Sequence, residues 1–319
     1  MYRARPLEST QAMIATGDPD AFRGERLTLW DGTQLARDGG PAPWRDRQKG
    51  RDVRFDCFMF FNELELLEVR LAELSPVIDV FVIVEAPWTF QGEPKPLLFD
   101  ENRARFRPYL SRIRHLVADL PPAIVNQWSR EFHQRNCLKR GLSDAAADDF
   151  AMISDVDEIV RAEAVVEADR QGVFTLFRME LYRYYMDWRE GPWLKVFGGP
   201  AGYIREMQDL SEPRLTETDY LHRFVETGES QVIPNAGWHF SWLGGLGKQR
   251  EKVGVTCHWE LAPEEFEVLT SGSGYRNGWH VGVQMEAVDV DDTWPAYITE
   301  RRCPPSWFRP REDGYVAAR

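Results

Sequence analysis

A chain of 319 residues with 43% hydrophobic and 13% aromatic residues has ample apolar material for a packed core, which excludes a disordered protein. Its formal net charge of −12 excludes broad binding to nucleic acid or anionic membranes, since both need a Lys/Arg excess over the contact surface. The four cysteines, Cys57, Cys137, Cys257 and Cys303, are scattered without a C-x-x-C pair, so they read as reduced, buried thiols rather than a zinc knuckle or disulfide framework.

Residues 1–54 are rich in Gly, Pro, Asp and Arg with little periodicity and read as an N-terminal extension. No stretch approaches the ~18–20 apolar residues of a membrane span, and the first thirty residues lack an apolar signal-peptide core. A cytoplasmic protein without a transmembrane segment is therefore expected. The apolar run 55–61 is followed by Asn62-Glu63 and then by Leu64, Leu67, Leu71 and Leu74 at helical spacing, a strand feeding a helix. The run 80–84 is continuously apolar and β-branched, as befits a central strand covered on both faces. Prolines and a glycine exclude regular structure over 85–96. A third strand is expected at 113–117, and a helix over 127–147 then leads into a strand ending at Asp155. Strands alternating with helices imply an α/β domain with a mostly parallel sheet, whose ligands sit outside the carboxyl ends of the strands. Asn62, Glu85 and Asp155 all fall at such ends.

The tetrad Asp155-Val156-Asp157-Glu158 follows the apolar run 150–154. Two carboxylates one residue apart converge on a hard cation if the chain turns there, and Mg²⁺ or Mn²⁺ then bridges protein to phosphate oxygens, as a nucleotide-sugar transferase requires. The alternative is an acidic turn capping a helix that begins near Ile159. On the preceding helix Trp128, Phe132, Leu138 and Leu142 mark an apolar stripe that includes Arg135. That guanidinium needs an internal carboxylate, Glu131 or Asp149 for example, or a phosphate or base of a bound nucleotide.

From about Gly172 the chain changes character. A strand is expected at 173–177, and 181–188 is dense in aromatic rings, which suit either a sugar-binding cleft or an ordinary core. The segment 237–245 places His239 in a strand-like run ahead of Lys248, Arg250 and Lys252, a neutral imidazole ligand followed by phosphate-neutralising cations, or a structural histidine.

Five ordered blocks, FDCFMFFNELELLEVRLAEL, DVFVIVEAPWTFQGEPKPL, a W-x-x-E-x-x-x-R helix, SDVDEI and GWHFSW, together resemble glycosyltransferase family 17 over about residues 55–260. The resemblance implies a GT-A-like α/β fold, with a Rossmann-like, mostly parallel central sheet flanked by helices and an acceptor-binding extension. The nucleotide-sugar-binding half is then expected at 55–170, the acceptor-binding half at 171–290 and a C-terminal tail at 291–319. The resemblance makes Asp155 and Asp157 the D-x-D metal site for the donor diphosphate, holding Mn²⁺ or Mg²⁺, with His239 as a further ligand. It places Asn62, Glu63, Glu85, Arg135 and Lys248 around a UDP-sugar, and implies transfer of N-acetylglucosamine to an oligosaccharide or glycoconjugate acceptor. It also implies inversion, so one carboxylate deprotonates the acceptor hydroxyl; Asp187, Glu190 and Glu206, downstream of the tetrad, are the candidates. Two other classes are a haloacid-dehalogenase-like phosphohydrolase, in which the first Asp of the motif is a nucleophile, and a non-catalytic carbohydrate-binding protein using the aromatic rear half.

Overall fold

The computed structural model describes residues 52–119, 124, 126–215, 230–255, 267, 271–280 and 282–310. The first 51 residues and Cys257 lie outside the described residues. The chain runs β1 (Arg54–Met59), α1 (Leu64–Leu74), β2 (Val80–Glu85), β3 (Ile113–Val117), α2 (Gln127–Asn136), β4 (Phe150–Asp155), β5 (Glu158–Val160) and α3 (Ala162–Gln171). It continues through β6 (Phe174–Arg183), β7 (Trp188–Pro200), α4 (Ala201–Glu206), β8 (Ser230–Ile233), β9 (Gly237–Ser241) and α5 (Gly245–Val255).

The strands join in one sheet in the order β3-β2-β1-β4-β7-β6-β9-β5, with β8 paired to β6. β3, β2, β1 and β4 are mutually parallel and form the Rossmann-like half; β7 then runs antiparallel to β4 and β6 antiparallel to β7. The apolar runs of β1, β2 and β4 lack alternation because both faces are covered. Phe55, Cys57, Val82, Val84, Ala151 and Ile153 face one layer, where the segment Cys137–Leu142 and α4 pack. Phe58, Phe81, Ile83 and Met152 face the other, under Leu67, Leu71 and Leu74 of α1 and Ala164, Val165 and Ala168 of α3. Cys57, Cys137 and Cys303 are buried free thiols. Among the described residues no helix is long and apolar enough to cross a membrane.

Three expectations are corrected. The helix expected over 127–147 ends at Asn136, and Cys137–Leu142 tightens into a 3₁₀ helix. There the backbone of Gly141 lies against β2, so close that a Cβ would sit 2.2 Å from Val82 Cγ1. The helix expected near Ile159 begins at Ala162, after a short strand that the sequence did not show. That strand, Glu158–Val160, pairs antiparallel with β9, where Gly237 lets the strands close up, since a Cβ there would meet Ile159 O at 2.1 Å. Residues expected as a tail enter the core: Trp294, Ile298, Cys303 and Trp307 pack with Leu66 and Val69 of α1 and with Trp238 and Phe240 of β9. Tyr182 joins them, its ring 4.9 Å from that of Trp294, so much of the aromatic density at 181–188 is core.

Candidate functional site

The acidic turn sits at the carboxyl end of the parallel half because β4 ends there and β5 leads away towards β9. Its backbone is held from below by Arg70, which occupies the inward face of α1 and is fully buried. Nε of Arg70 donates to Asp56 Oδ2 at 2.8 Å and Nη2 to Asp56 Oδ1 and Ser154 Oγ. Nη1 donates to the carbonyls of Asp155 (2.9 Å) and Glu158 (2.7 Å). One guanidinium therefore ties β1, the end of β4 and the start of β5 together, and its charge is balanced by the equally buried Asp56.

Glu158 is fully buried, accepting from Trp193 Nε1 (2.7 Å), Arg214 Nη1 (2.8 Å) and the Asp155 amide (2.7 Å). Burial pushes its carboxyl up, but Arg214 more than offsets this and holds it below the usual range. Glu158 thus supports the turn rather than facing a ligand. Asp155, whose side chain is 32% exposed, is held between Arg135 (3.3 Å) and Arg214 (2.6 Å). Asp157 points the other way, with His239 Nε2 at 3.5 Å and Lys252 Nζ at 3.3 Å. Burial raises the Asp157 carboxyl, but Lys252 and His239 outweigh it and hold it well below the ordinary carboxylate range. Burial lowers the Lys252 ammonium, and Asp157 and Glu63 raise it by more.

Asp157 faces a cleft that it shares with Asn62, Glu63, Trp242, Lys248 and Lys252. Residues from the loop after β1, the acidic turn, the end of β9 and α5 meet there. Asn62 Nδ2 donates to Glu251 Oε1 (3.0 Å), and Glu63 Oε2 accepts from the Asn62 amide (3.0 Å), which fixes the start of α1. The described walls enclose about 60 Å³, room for a few waters.

Several expected site residues stand elsewhere. Glu85 is fully buried at the end of β2, where it accepts from the Phe99 amide (3.2 Å) and meets Lys95 (3.4 Å) and His115 (3.3 Å). That carboxylate holds the turn Leu98–Glu101 and does not line the cleft. Arg135 pairs with Glu131 (2.7 Å) as well as Asp155, and its buried Nε and Nη1 have no hydrogen-bond partner. None of the three base candidates is among the described residues that line the cleft with Asp157. Asp187 is buried and pins the Arg309 amide (3.1 Å) and its Nε (3.0 Å). Glu190 forms a two-pronged pair with Arg183 across the β6–β7 hairpin, and Glu206 is exposed at the end of α4. Arg70 and Arg214, the cations that organise the turn, were not among the expected residues. Arg70 had a signal, lying three residues after Leu67 and four before Leu74 on the apolar stripe of α1, as Arg135 does on α2. Arg214 had none, since its partners are 56 and 59 residues away.

The model of glycosyltransferase family 17 matches residues 42–244, which include the parallel half, the acidic turn and β9. The chain belongs to that family. Beta-1,4-mannosyl-glycoprotein 4-beta-N-acetylglucosaminyltransferase of Homo sapiens is 28% identical over 229 residues, covering 63% of this chain and 43% of the relative, and the Mus musculus protein is 27% identical over the same length. The chain thus matches less than half the length of these curated relatives. Among solved structures, glucosyl-3-phosphoglycerate synthase from Mycobacterium tuberculosis in complex with Mn²⁺, uridine-diphosphate-glucose and phosphoglyceric acid is 12% identical. It covers 86% of this chain and 98% of its own at a TM-score of 0.37, a distant likeness on which nothing further rests. The family member's own sheet, parallel in its first half and mixed in its second, is the α/β architecture the resemblance implied.

For a family member the acidic turn raises the question of a cation. Among the described residues no three His, Cys, Asp or Glu side chains form a ready metal cage: Asp155 turns towards two arginines while Asp157 turns towards His239 and Lys252. The expected trio of Asp155, Asp157 and His239 is therefore not gathered. Its chemistry nevertheless fits a hard divalent ion. Asp157 is a cleft-lining carboxylate kept ionised, and beside it the buried His239 has an Nδ1 without a hydrogen-bond partner.

Proposed function

We propose that the chain is a metal-dependent, inverting glycosyltransferase that moves N-acetylglucosamine from a UDP-sugar to a hydroxyl of a carbohydrate acceptor. The observation that carries the reading is an ionised Asp157 at the carboxyl end of the parallel half, facing a cleft lined by Lys248 and Lys252, in a chain of this family. Asp155 and Asp157, with His239, are the residues that would hold Mn²⁺ or Mg²⁺. Such an ion supplies Lewis-acid stabilisation of charge on the leaving diphosphate.

The chain's own residues do the rest. Lys248 and Lys252 bring positive charge to the cleft, where it counts for more as negative charge grows on the departing phosphate than in the ground state. Arg70 keeps the carbonyls of Asp155 and Glu158 in place, so the turn does not have to reorganise during reaction. The acceptor oxygen bonds to the anomeric carbon as the bond from that carbon to the phosphate oxygen breaks, and a carboxylate takes the hydroxyl proton. We assign this base to Glu63, which lines the cleft beside Asp157 and Lys252 and accepts backbone amides through Oε2 alone; Glu65, which also lines it, is paired with the Arg105 guanidinium at 3.2 Å.

The test is incubation with UDP-N-acetylglucosamine, Mn²⁺ and a panel of oligosaccharides, with products read by mass spectrometry and NMR. A new β-linked glycoside, lost in Glu63→Gln, is expected. Inorganic phosphate released without any glycoside would refute the proposal.

A further inference from the structure

β6 and β9 run parallel and end level, with Arg183 opposite Ser241. The next residue of each strand, Tyr184 and Trp242, adopts a left-handed backbone, with φ 68° and φ 61°. Bulky side chains avoid that region, and such outliers concentrate where a site holds a side chain in one orientation. Tyr184 is explained by packing. It is fully buried, its hydroxyl lies 2.8 Å from His280 Nδ1, its amide donates to Ser241 O (3.0 Å), and Gly274 packs flat on its ring.

Trp242 is different. It packs against the Tyr184 and Met285 cluster, yet it is only partly buried and lines the cleft with Asp157. The chain then uses glycine for its next left-handed positions, Gly244 (φ 96°) and Gly245 (φ 83°), where α5 begins. Of the two left-handed positions that line the cleft, Gly244 carries no side chain and the other carries a tryptophan. Lys252 Nζ lies 5.6 Å from the ring centroid and 3.3 Å from Asp157 Oδ2, so one side chain spans the distance from the ring to the acidic turn. A pyranose has an apolar C–H face and a rim of hydroxyls, and it requires a flat aromatic wall bordered by polar groups. Asn62 and Glu63 supply those groups in the same cleft.

We propose that Trp242 is the stacking platform for a pyranose ring, held by its left-handed backbone against the Asp157 end of the cleft. The inference rests on the reading of this cleft as the site of sugar transfer. The ring belongs either to the donor sugar or to the terminal sugar of the acceptor, and the test separates the two.

Full-length wild type, Trp242→Phe and Trp242→Asn are compared; Asn removes the ring but tolerates left-handed backbone. Each is titrated with UDP and with UDP-N-acetylglucosamine in Mn²⁺, and assayed for transfer over a range of acceptor concentrations. The expected result is unchanged affinity for UDP in both variants, with a loss of roughly tenfold in Trp242→Asn that Trp242→Phe largely restores. Loss in UDP-sugar affinity assigns the ring to the donor; loss confined to acceptor KM assigns it to the acceptor. Values for Trp242→Asn within twofold of wild type in both assays would overturn the proposal, and so would equal losses for UDP itself, which mark a structural role. If wild type binds no UDP, the donor reading fails separately. Oligosaccharide titration by NMR then decides the platform: binding lost in Trp242→Asn supports it, and no binding by wild type overturns it.

Discussion

Replacing Arg70 should be among the most damaging single changes outside the cleft. Arg70 and Asp56 are both fully buried, so Arg70→Met leaves an uncompensated carboxylate in the core, which costs about 3–5 kcal/mol. The carbonyls of Asp155 and Glu158 also lose their donor, adding about 1–3 kcal/mol for each that water cannot reach. The total rivals the about 5–15 kcal/mol by which a typical domain is stable. Arg70→Lys keeps the charge, but one ammonium cannot serve the carboxylate and the carbonyls together, so a loss of about 2–4 kcal/mol is expected. Urea denaturation followed by circular dichroism measures each. The double variant Arg70→Met/Asp56→Leu removes both charges and should be less destabilised than the sum of its parts by about 2 kcal/mol or more. The reasoning is refuted if Arg70→Met stays within about 1 kcal/mol of wild type, or if the double variant is additive.

Gly237→Ala should destabilise by about 2–3 kcal/mol or more, because the new Cβ meets Ile159 O at 2.1 Å where β9 and β5 close up. Gly172→Ala, with φ 63° and open space around it, should cost only about 1–2 kcal/mol; equal thermal shifts for the two would contradict the close-approach account. Burial, helped by Arg183, depresses the His280 imidazole to about 3. The unfolded chain therefore takes up the proton first. This contribution to stability is complete above the ordinary histidine value of about 6.5 and is lost as pH falls from there towards 3, by up to about 1.4 kcal/mol per unit. His280→Gln should flatten the fall in urea midpoint between pH 7 and 5, and an unchanged slope would refute the assignment.

The parallel half was legible in the sequence because strands covered on both faces need unbroken apolar runs, as at Phe81, Val82 and Ile83. The place of Asp155 at a strand end was legible for the same reason. What failed depended on distant partners. Nothing local shows that Glu158–Val160 finds β9, some eighty residues later, or that Trp294 and Trp307 return to the core. The surroundings of the base candidates were hidden likewise: a carboxylate's type is visible in the sequence, but its ion-pair partner, Arg309 for Asp187 and Arg183 for Glu190, is not. Glu85 was rightly placed at a strand end, yet its acceptors are taken by the Phe99 amide. Arg135 shows both readings of an inward cation at once, since it pairs with Glu131 and reaches Asp155.

The central claim is that the Asp157 cleft handles a nucleotide sugar through a divalent cation. Calorimetric titration of UDP-N-acetylglucosamine into wild type and Asp157→Asn, with and without Mn²⁺, tests it most directly, with circular dichroism confirming that both are folded. The account predicts binding by wild type only in the presence of Mn²⁺, and its loss in Asp157→Asn. Equal affinity in the two proteins, or binding by wild type that ignores Mn²⁺, would contradict it.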